Sequence, residues 1–139
     1  MPFLEPVTLL GKHAALEPLA RSHRDALCEA TRDGELWKLW YTGVPSPETM
    51  DAEIERRLGL QGAGSMLPFT VTEAGSGVPV GMTTFMNVDA VNRRVEIGST
   101  WYARRLHRSS VNTECKRMLL GHAFESLRCI AVELRTSFF

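Results

Sequence analysis

The sequence predicts one α/β domain in which helices flank a mixed, mostly antiparallel sheet. The chain has 139 residues, of which 44% are hydrophobic, so it is long enough for one packed core. Short segments rich in strand formers are separated by segments with helical spacing, in the order β, α, α, β, β, β, α, β. This order is typical of an α/β domain, and we treat residues 1–139 as a single domain.

Charge and cysteine usage narrow the classes of protein. Sixteen basic and sixteen acidic side chains balance to a net charge of zero, which disfavours a nucleic-acid binder acting through charge alone. The three cysteines are an odd number without a C-x-x-C pair, which favours a reducing compartment over a disulfide framework. We find no signal-peptide pattern and no run of the roughly 18 to 20 apolar residues that a membrane helix needs. We therefore expect a cytoplasmic protein without a membrane partner.

The N-terminal part is predicted to be a strand pair followed by a helix. Val7–Leu19 carries the strand pattern, and Gly11 marks a turn within it. Ser22 is a residue type favoured at a helix N-cap, and Asp25 three positions later is close to a capping box. The helix is predicted to end at Asp33–Gly34.

A second helix is predicted from a capping signal that contains proline. Ser46 is the expected N-cap, Pro47 occupies the first helical position, where proline is tolerated, and Glu48 is favoured by the helix dipole. Apolar residues continue at helical spacing as far as Leu58.

Three strands follow in the middle of the chain. Leu67–Glu73 and Val80–Val88 are rich in strand formers and are joined through Gly75–Gly77, which predicts a hairpin. Arg94–Tyr102 is the third strand. Gly98–Thr100 interrupts its pattern with small residues, which predicts a β-bulge.

A basic loop leads from the third strand into a third helix. Ala103–Ser110 is polar and basic, and the helix is predicted over Val111–Leu127, followed by a last strand at Cys129–Leu134. The apolar side of this helix recurs at spacings of three and four residues, the helical period. It comprises Cys115, Met118, Leu119, His122, Ala123 and Leu127.

This strand, loop and helix have the composition of a phosphate site. The N-terminus of a helix presents unpaired backbone N–H groups and a partial positive charge. The loop before the helix adds cationic side chains and short hydrogen-bond donors. They are Arg104, Arg105, His107, Arg108, Ser109, Ser110, Asn112 and Thr113. A solvated basic loop before an ordinary helix has the same composition, and the residues alone leave both interpretations open.

Several segments resemble the GNAT superfamily of acyl-CoA-dependent N-acetyltransferases. The similarity is carried by Val95–Tyr102, Asn112–Lys116 and His122–Leu127, and it extends to the hairpin at Phe69–Val71 and Pro79–Thr83. It covers about residues 5 to 135 and is greatest to the RimJ/RimL-type ribosomal-protein acetyltransferases. The resemblance implies the GNAT fold and transfer of an acetyl group from acetyl-CoA to an amine.

The resemblance also implies which residues hold acetyl-CoA. The family's phosphate-binding loop follows Q/R-x-x-G-x-G/A, which falls on Arg105–Ser110, with Arg108 and Ser110 replacing the two small residues. The pantetheine arm is expected along the preceding strand, where one backbone N–H polarises the thioester carbonyl. The expected cofactor-binding residues are Trp101, Tyr102, Ala103, Arg105, His107, Arg108, Ser109, Ser110, Asn112 and Thr113.

Glu96 is the predicted catalytic residue. It matches an acidic position of the family, and we expect it to act as a general base or to hold a water molecule, on the face opposite Val95, Ile97 and Trp101. The alternative is a structural carboxylate paired with Arg93 or Arg94.

The family's substrate-covering segment falls on three aromatic residues, which line an acceptor pocket or belong to the core. They are Trp37, Trp40 and Tyr41.

No metal site is expected. Cys115 and His122 are seven positions apart on one helix, a rise of about 10 Å, which is too far for two ligands of one tetrahedral ion. The acceptor is expected to be a small-molecule or peptide amine.

The family pattern continues beyond the last strand with another helix and two more strands. The chain has only Arg135–Phe139 there, so we expect a C-terminally truncated domain, with a homodimer as one way to complete the sheet. Two other functions remain open. One is a catalytically inactive remnant that binds CoA or a protein partner. The other is an RNA- or phosphate-binding module, which predicts steep salt dependence but has no aromatic stacking motif here.

Overall fold

Six strands form one sheet in the order β1-β2-β3-β4-β5-β6. The structure is a computed structural model that describes residues 3–38 and 43–134. The strands are β1 Leu9–Leu10, β2 Ala14–Pro18, β3 Leu67–Glu73, β4 Pro79–Asp89, β5 Arg94–Tyr102 and β6 Ala131–Leu134. The helices are α1 Arg24–Arg32, α2 Met50–Gly62 and α3 Ser110–Gly121. β1 to β5 pair antiparallel, and β6 pairs parallel to β5, which confirms the mixed, mostly antiparallel sheet.

The helices cover opposite faces of the sheet. Phe85 of β4 stacks on His122, which directly follows α3, with 6.1 Å between the ring centroids. His23, directly before α1, contacts Thr70 of β3 through a 2.7 Å hydrogen bond between Nδ1 and Oγ1. Thr70 pairs with Met82, which is three residues from Phe85 on β4 and therefore on the other face. α3 thus covers one face, and α1 with α2 covers the other.

A hydrophobic core fills the space on both sides of the sheet. Phe69 and Phe85 meet edge to face within it, with 5.9 Å between their centroids. Burial of each large side chain contributes about 1.5 to 3 kcal/mol. The largest fully buried side chains are Phe69, Phe85, Leu16, Leu27, Leu36, Met50, Ile54, Leu67, Met82, Ile97, Leu119 and Val71.

The predicted bulge in β5 is confirmed. Gly98 pairs with Thr84 and Trp101 pairs with Met82, so β5 places one more residue than β4 between these two pairs. Ser99, within the bulge, has φ +50°. A serine in this left-handed region costs about 1 to 2 kcal/mol relative to ordinary backbone, so its neighbours must hold it there.

The bulge changes which face Trp101 occupies. Glu96 pairs with Met86 and Trp101 with Met82, and these two methionines, four residues apart on β4, lie on the same face. The prediction that Glu96 lies on the face opposite Trp101 is therefore wrong. The extra residue between them reverses the alternation, and both side chains lie on the face that α1 and α2 cover.

The first two helices begin later than the capping signals predicted. A 3-10 turn at Arg21–His23 precedes α1, and His23 Nδ1 accepts the Ala20 N–H at 3.3 Å, so Ser22 is not the N-cap. Before α2, the Ser46 Oγ lies 3.1 Å from Oγ1 of Thr49. These two side chains close a turn, and the helix starts only after Thr49.

The predicted turn at Gly11 and the predicted helix over Val111–Leu127 are confirmed. The turn between β1 and β2 is closed by the Gly11 N–H, which donates to the Ala14 carbonyl at 2.9 Å. α3 is continued by a wider, π-type turn at His122–Ser126 before β6. The three cysteines are buried and free. Within residues 3–38 and 43–134, no helix is long and apolar enough to cross a membrane.

Candidate functional site

Within residues 3–38 and 43–134, no strand pairs with the outer edge of β5 beyond its contact with β6, and we call this stretch the open edge of β5. The described part of β6 pairs with β5 only as far as Ile97, whereas β5 continues to Tyr102. The Ala103 N–H donates to the Val80 carbonyl at 2.8 Å and so faces β4. Because successive peptide groups alternate, the N–H and C=O of Tyr102 face the opposite, open edge. The Tyr102 carbonyl accepts a hydrogen bond there from His107 Nε2 at 3.0 Å.

The N-terminus of α3 lies beside this edge. Ser109 caps the helix, since its Oγ accepts the Val111 N–H at 3.3 Å and donates to the Leu106 carbonyl at 2.5 Å. The Tyr102 hydroxyl donates to Asn112 Oδ1 at 2.9 Å, which ties the end of β5 to the first turn of α3. Burial raises the pKa of Tyr102, so the hydroxyl remains a donor. The other N–H groups of this first turn have no carbonyl partner within the helix.

Arg108 has the backbone shape of the glycine that it replaces. Its φ is +62°, in the left-handed region where glycine is favoured. Arg108 therefore has a backbone conformation that glycine adopts readily, at the position where the family pattern Q/R-x-x-G-x-G/A has its first glycine. This conformation costs about 1 to 2 kcal/mol for a residue other than glycine.

Arg105 is engaged with two acidic side chains. Its guanidinium forms a bidentate pair with Glu73 of β3, at 3.0 and 3.2 Å, and its backbone N–H donates to Asp33 Oδ2 at 2.8 Å. The bond from Arg105 holds the pKa of Glu73 below its ordinary value. The Arg105 side chain is 51% exposed. The guanidinium predicted to bind phosphate thus anchors the loop to β3, through a surface ion pair of the kind that contributes only about 0 to 1 kcal/mol.

A groove runs along the outer side of α3 from the predicted cofactor residues. It has a volume of about 570 Å³ and extends from Asn112 and Thr113 past Lys116 and Arg117 to Phe124. Lys116 Nζ donates to Asn112 Oδ1 at 3.2 Å, and burial lowers the pKa of Lys116. Two cationic side chains beside an apolar ring suit a ligand with both phosphate and aromatic parts.

Glu96 is buried on the face that α1 and α2 cover. It is 5% exposed, and its Oε1 accepts a hydrogen bond from Asn87 Nδ2 at 3.0 Å. The two neighbouring arginines form hydrogen bonds with other groups. Arg94 pairs with Glu133 at 3.3 Å, and Arg93 donates to a backbone carbonyl at 2.9 Å.

One of the three predicted acceptor-site aromatics is described. Trp37 lies in a 3-10 turn at Leu36–Lys38 that contacts α1, and it is half-buried. It belongs to the layer on the same side of the sheet as Glu96. Trp40 and Tyr41 lie outside the described residues.

Two residues that support this site had no assigned role in the sequence analysis. Glu114 of α3 accepts the N–H groups of Lys12, His13 and Ala14, at 3.0, 2.7 and 2.8 Å. Arg57 of α2 is 2% exposed and donates from Nη2 to the Ser99 carbonyl at 3.1 Å. Arg57 had a detectable signal, because it continues the buried spacing of Met50 and Ile54 along α2. Glu114 had none beyond its place in the family-like segment.

Metal ligands do not cluster in the part of the chain that the structure describes. No group of three or more His, Cys, Asp or Glu side chains is placed to hold one ion there.

Comparisons with known proteins identify the family. The family model for the acetyltransferase (GNAT) domain matches residues 14–137. Among solved structures, a GCN5-related N-acetyltransferase from Brucella melitensis has a TM-score of 0.75 and 23% identity over 92% of this chain and 59% of its own. A T. thermophilus protein assigned as an acetyltransferase has a TM-score of 0.76 and 28% identity over 94% of this chain and 67% of its own.

A third structure holds a coenzyme. RimJ from Mycobacterium smegmatis, solved in complex with CoA-disulfide, has a TM-score of 0.76 and 21% identity over 93% of this chain and 67% of its own. No curated protein sequence matches. The chain thus spans 59 to 67% of the length of these three proteins. The match of the family model over most of the sequence, together with the sheet that these structures share, establishes that the chain belongs to the GNAT acetyltransferase family.

Proposed function

We propose that this protein transfers the acetyl group of acetyl-CoA to a primary amine, of a protein N-terminus or a small molecule, by direct attack in a ternary complex. One observation carries the proposal. The open edge of β5 leads directly to the N-terminus of α3, within a chain that matches the GNAT domain over residues 14–137. An extended arm that ends in a diphosphate fits this combination, because the edge offers peptide groups and the helix terminus attracts an anion.

The residues present fit acetyl-CoA in two respects. The outward N–H of Tyr102 is placed to bond an amide of the pantetheine arm, and the first turn of α3 offers N–H groups to the pyrophosphate. The left-handed φ of +62° at Arg108, a conformation that glycine adopts readily, supports the proposal that this loop binds phosphate. We propose that the thioester lies toward the bulge of β5, nearer to Glu96, and the nucleotide toward the groove along α3.

Bound acetyl-CoA supplies a thioester carbonyl for attack by the amine. The amine must be neutral to attack, so the protein has to assist its deprotonation. At neutral pH this step costs roughly 4 to 5 kcal/mol for a lysine side chain and only about 1 kcal/mol for an α-amine. We propose that Glu96 takes the amine proton, directly or through a water molecule. A new C–N bond then forms, the C–S bond breaks, and the thiolate leaves and takes up a proton. Because its deprotonation at neutral pH costs less free energy, an α-amine is the favoured acceptor.

Calorimetry with acetyl-CoA tests the cofactor site. We expect micromolar binding, and we expect Ser110→Glu to weaken it at least about tenfold, because a carboxylate at the first position of α3 repels the pyrophosphate. Ser126→Glu is the matched control. It places the same charge on an exposed serine beyond the other end of α3, and it should leave the affinity within twofold. Equal affinities for the two variants would remove the α3 terminus from the site.

Release of free CoA thiol tests turnover. A peptide with a free N-terminus should release thiol faster than the same peptide with a blocked N-terminus and one lysine. Tight binding of acetyl-CoA without thiol release for any amine would contradict the proposed transfer and indicate a CoA-binding protein. No binding to a folded chain would contradict the cofactor site as well.

A further inference from the structure

We propose that Arg57 is a positioning residue that sets the β5 bulge in the conformation needed for acetyl transfer. The inference rests on the proposed function, because it concerns the strand along which the thioester is placed. It assigns a role to a side chain of α2, remote in sequence from the loop and strand of the site. The connection is one hydrogen bond, from Arg57 Nη2 to the Ser99 carbonyl at 3.1 Å.

The bulge decides which peptide groups face the open edge of β5. Without its extra residue, the alternation would turn the Tyr102 N–H toward β4 and present a different N–H to the ligand. The same extra residue puts Trp101 on the face of Glu96. A shift at Ser99 therefore changes which backbone N–H donates to the thioester or to the pantetheine arm. It also changes which side chains lie beside the acceptor amine.

The backbone of the bulge is strained at Ser99, so other contacts must hold its conformation. Ser99 has φ +50°, a region that serine rarely occupies. Among the described residues, its hydroxyl donates to a weak acceptor, the sulfur of Met86, at 3.6 Å. The Thr100 Oγ1 lies 2.8 Å from that of Thr83 on β4. Arg57 provides the charged contact to the carbonyl of the strained residue itself.

Burial of the Arg57 guanidinium costs desolvation free energy. Its side chain is 3% exposed, and Nη1 has no hydrogen-bond partner among the residues that the structure describes. Burial also lowers its pKa. Replacement of a buried ion pair by apolar residues of similar size is often neutral or stabilising, so burial alone gives no reason for an arginine here, whereas its directional bond to Ser99 does.

Arg56 gives a matched comparison on the same helix. Arg56 and Arg57 both bond the carboxylate of Glu53, Arg56 at 2.8 and 2.9 Å and Arg57 at 2.7 Å. Only Arg57 reaches β5. Because Arg56 continues to neutralise Glu53 when Arg57 is replaced, Arg57→Met removes the contact to Ser99 without leaving the carboxylate alone.

The experiment compares Arg57→Met, Arg57→Lys and Arg56→Met with the unchanged chain. We expect Arg57→Met to reduce kcat about 100-fold, the effect of a small displacement in an active site, while the KM for the amine changes less than threefold. Arg57→Lys keeps a charged donor and should restore part of the rate. Arg56→Met should stay within twofold in both constants.

A measurement without ligand separates this inference from the proposed function. Amide hydrogen exchange of Ser99–Tyr102 should accelerate at least tenfold in Arg57→Met and not in Arg56→Met. Equal exchange and equal kcat in these two variants would overturn the role of Arg57 even if the unchanged protein is active. If the unchanged protein shows no acetyl transfer, the proposed function is overturned. The hydrogen-exchange data would still decide whether Arg57 holds the bulge.

Discussion

Replacing Glu114 with glutamine should destabilise the protein measurably at neutral pH. One carboxylate accepts three backbone N–H groups, Oε2 from Lys12 and Oε1 from His13 and Ala14. Glutamine keeps one oxygen and presents an NH₂ group to the third N–H, so at least one bond to a charged acceptor is lost. Such a bond contributes about 1.5 to 3 kcal/mol. For a domain of this size, about 2 kcal/mol corresponds to a fall in Tm of roughly 6 to 8 °C.

The effect of Glu114→Gln should depend on pH in one direction. Burial opposes ionisation of Glu114, but the three N–H groups outweigh it and hold its pKa below the ordinary value. The stabilisation is therefore fully present above the unfolded pKa of about 4.3, and it is lost as pH falls through the lower folded pKa. Thermal melts followed by circular dichroism at pH 7 and pH 3 measure the difference between the two proteins at each pH.

The control for this prediction is Glu125→Gln. Glu125 is exposed in the turn after α3 and has no hydrogen bond among those described. We expect its Tm to stay within about 1 °C of the unchanged protein, the usual result for a surface substitution. If Glu114→Gln also melts within about 1 °C at pH 7, or if its deficit grows at pH 3, the argument from the three bonds is refuted.

Three further predictions follow from the geometry of the site. Arg108→Gly should raise the unfolding free energy in urea by about 1 kcal/mol, because glycine adopts φ +62° without strain, and an unchanged value would contradict strain there. Glu96→Gln should lower thiol release at least about 100-fold without changing Tm, and full activity would exclude a proton-transfer role. Gly81→Ala should lower Tm, because its Cβ would lie 2.3 Å from the Trp101 carbonyl oxygen, whereas Gly59→Ala on α2, with open space around it, should not.

The sheet could be predicted because its strands have short-range patterns. Alternation and turn residues placed the hairpin, and the small residues at Gly98–Thr100 located the bulge. The face of Trp101 was predicted wrongly because the alternation was continued unchanged across the bulge, whose extra residue reverses it. The starts of α1 and α2 were misplaced because nearby side chains, His23 and Thr49, close turns that compete with the predicted caps.

The candidate site was predictable as a segment but not as a set of contacts. The resemblance placed the loop around Arg105, but its pairing with Glu73 joins residues 32 positions apart. The contact of Arg57 with Ser99 spans 42 positions, and that of Glu114 with Lys12 spans 102. Partners this remote leave no local pattern in a single sequence, because they are set by the crossing of elements in the folded chain.

These remote contacts also determine when the site can form. The loop before α3 and the N-terminal half of α3 are held by residues that lie 32 to 102 positions earlier in the chain. Closing such large loops is slow and gains stability only once the sheet between them exists. The turn between β1 and β2 can therefore bond to Glu114 only after α3 has been synthesised. Because the proposed ligand-binding end is tied in this way to the first strands, we expect a bound ligand to stabilise the whole domain against unfolding rather than one loop.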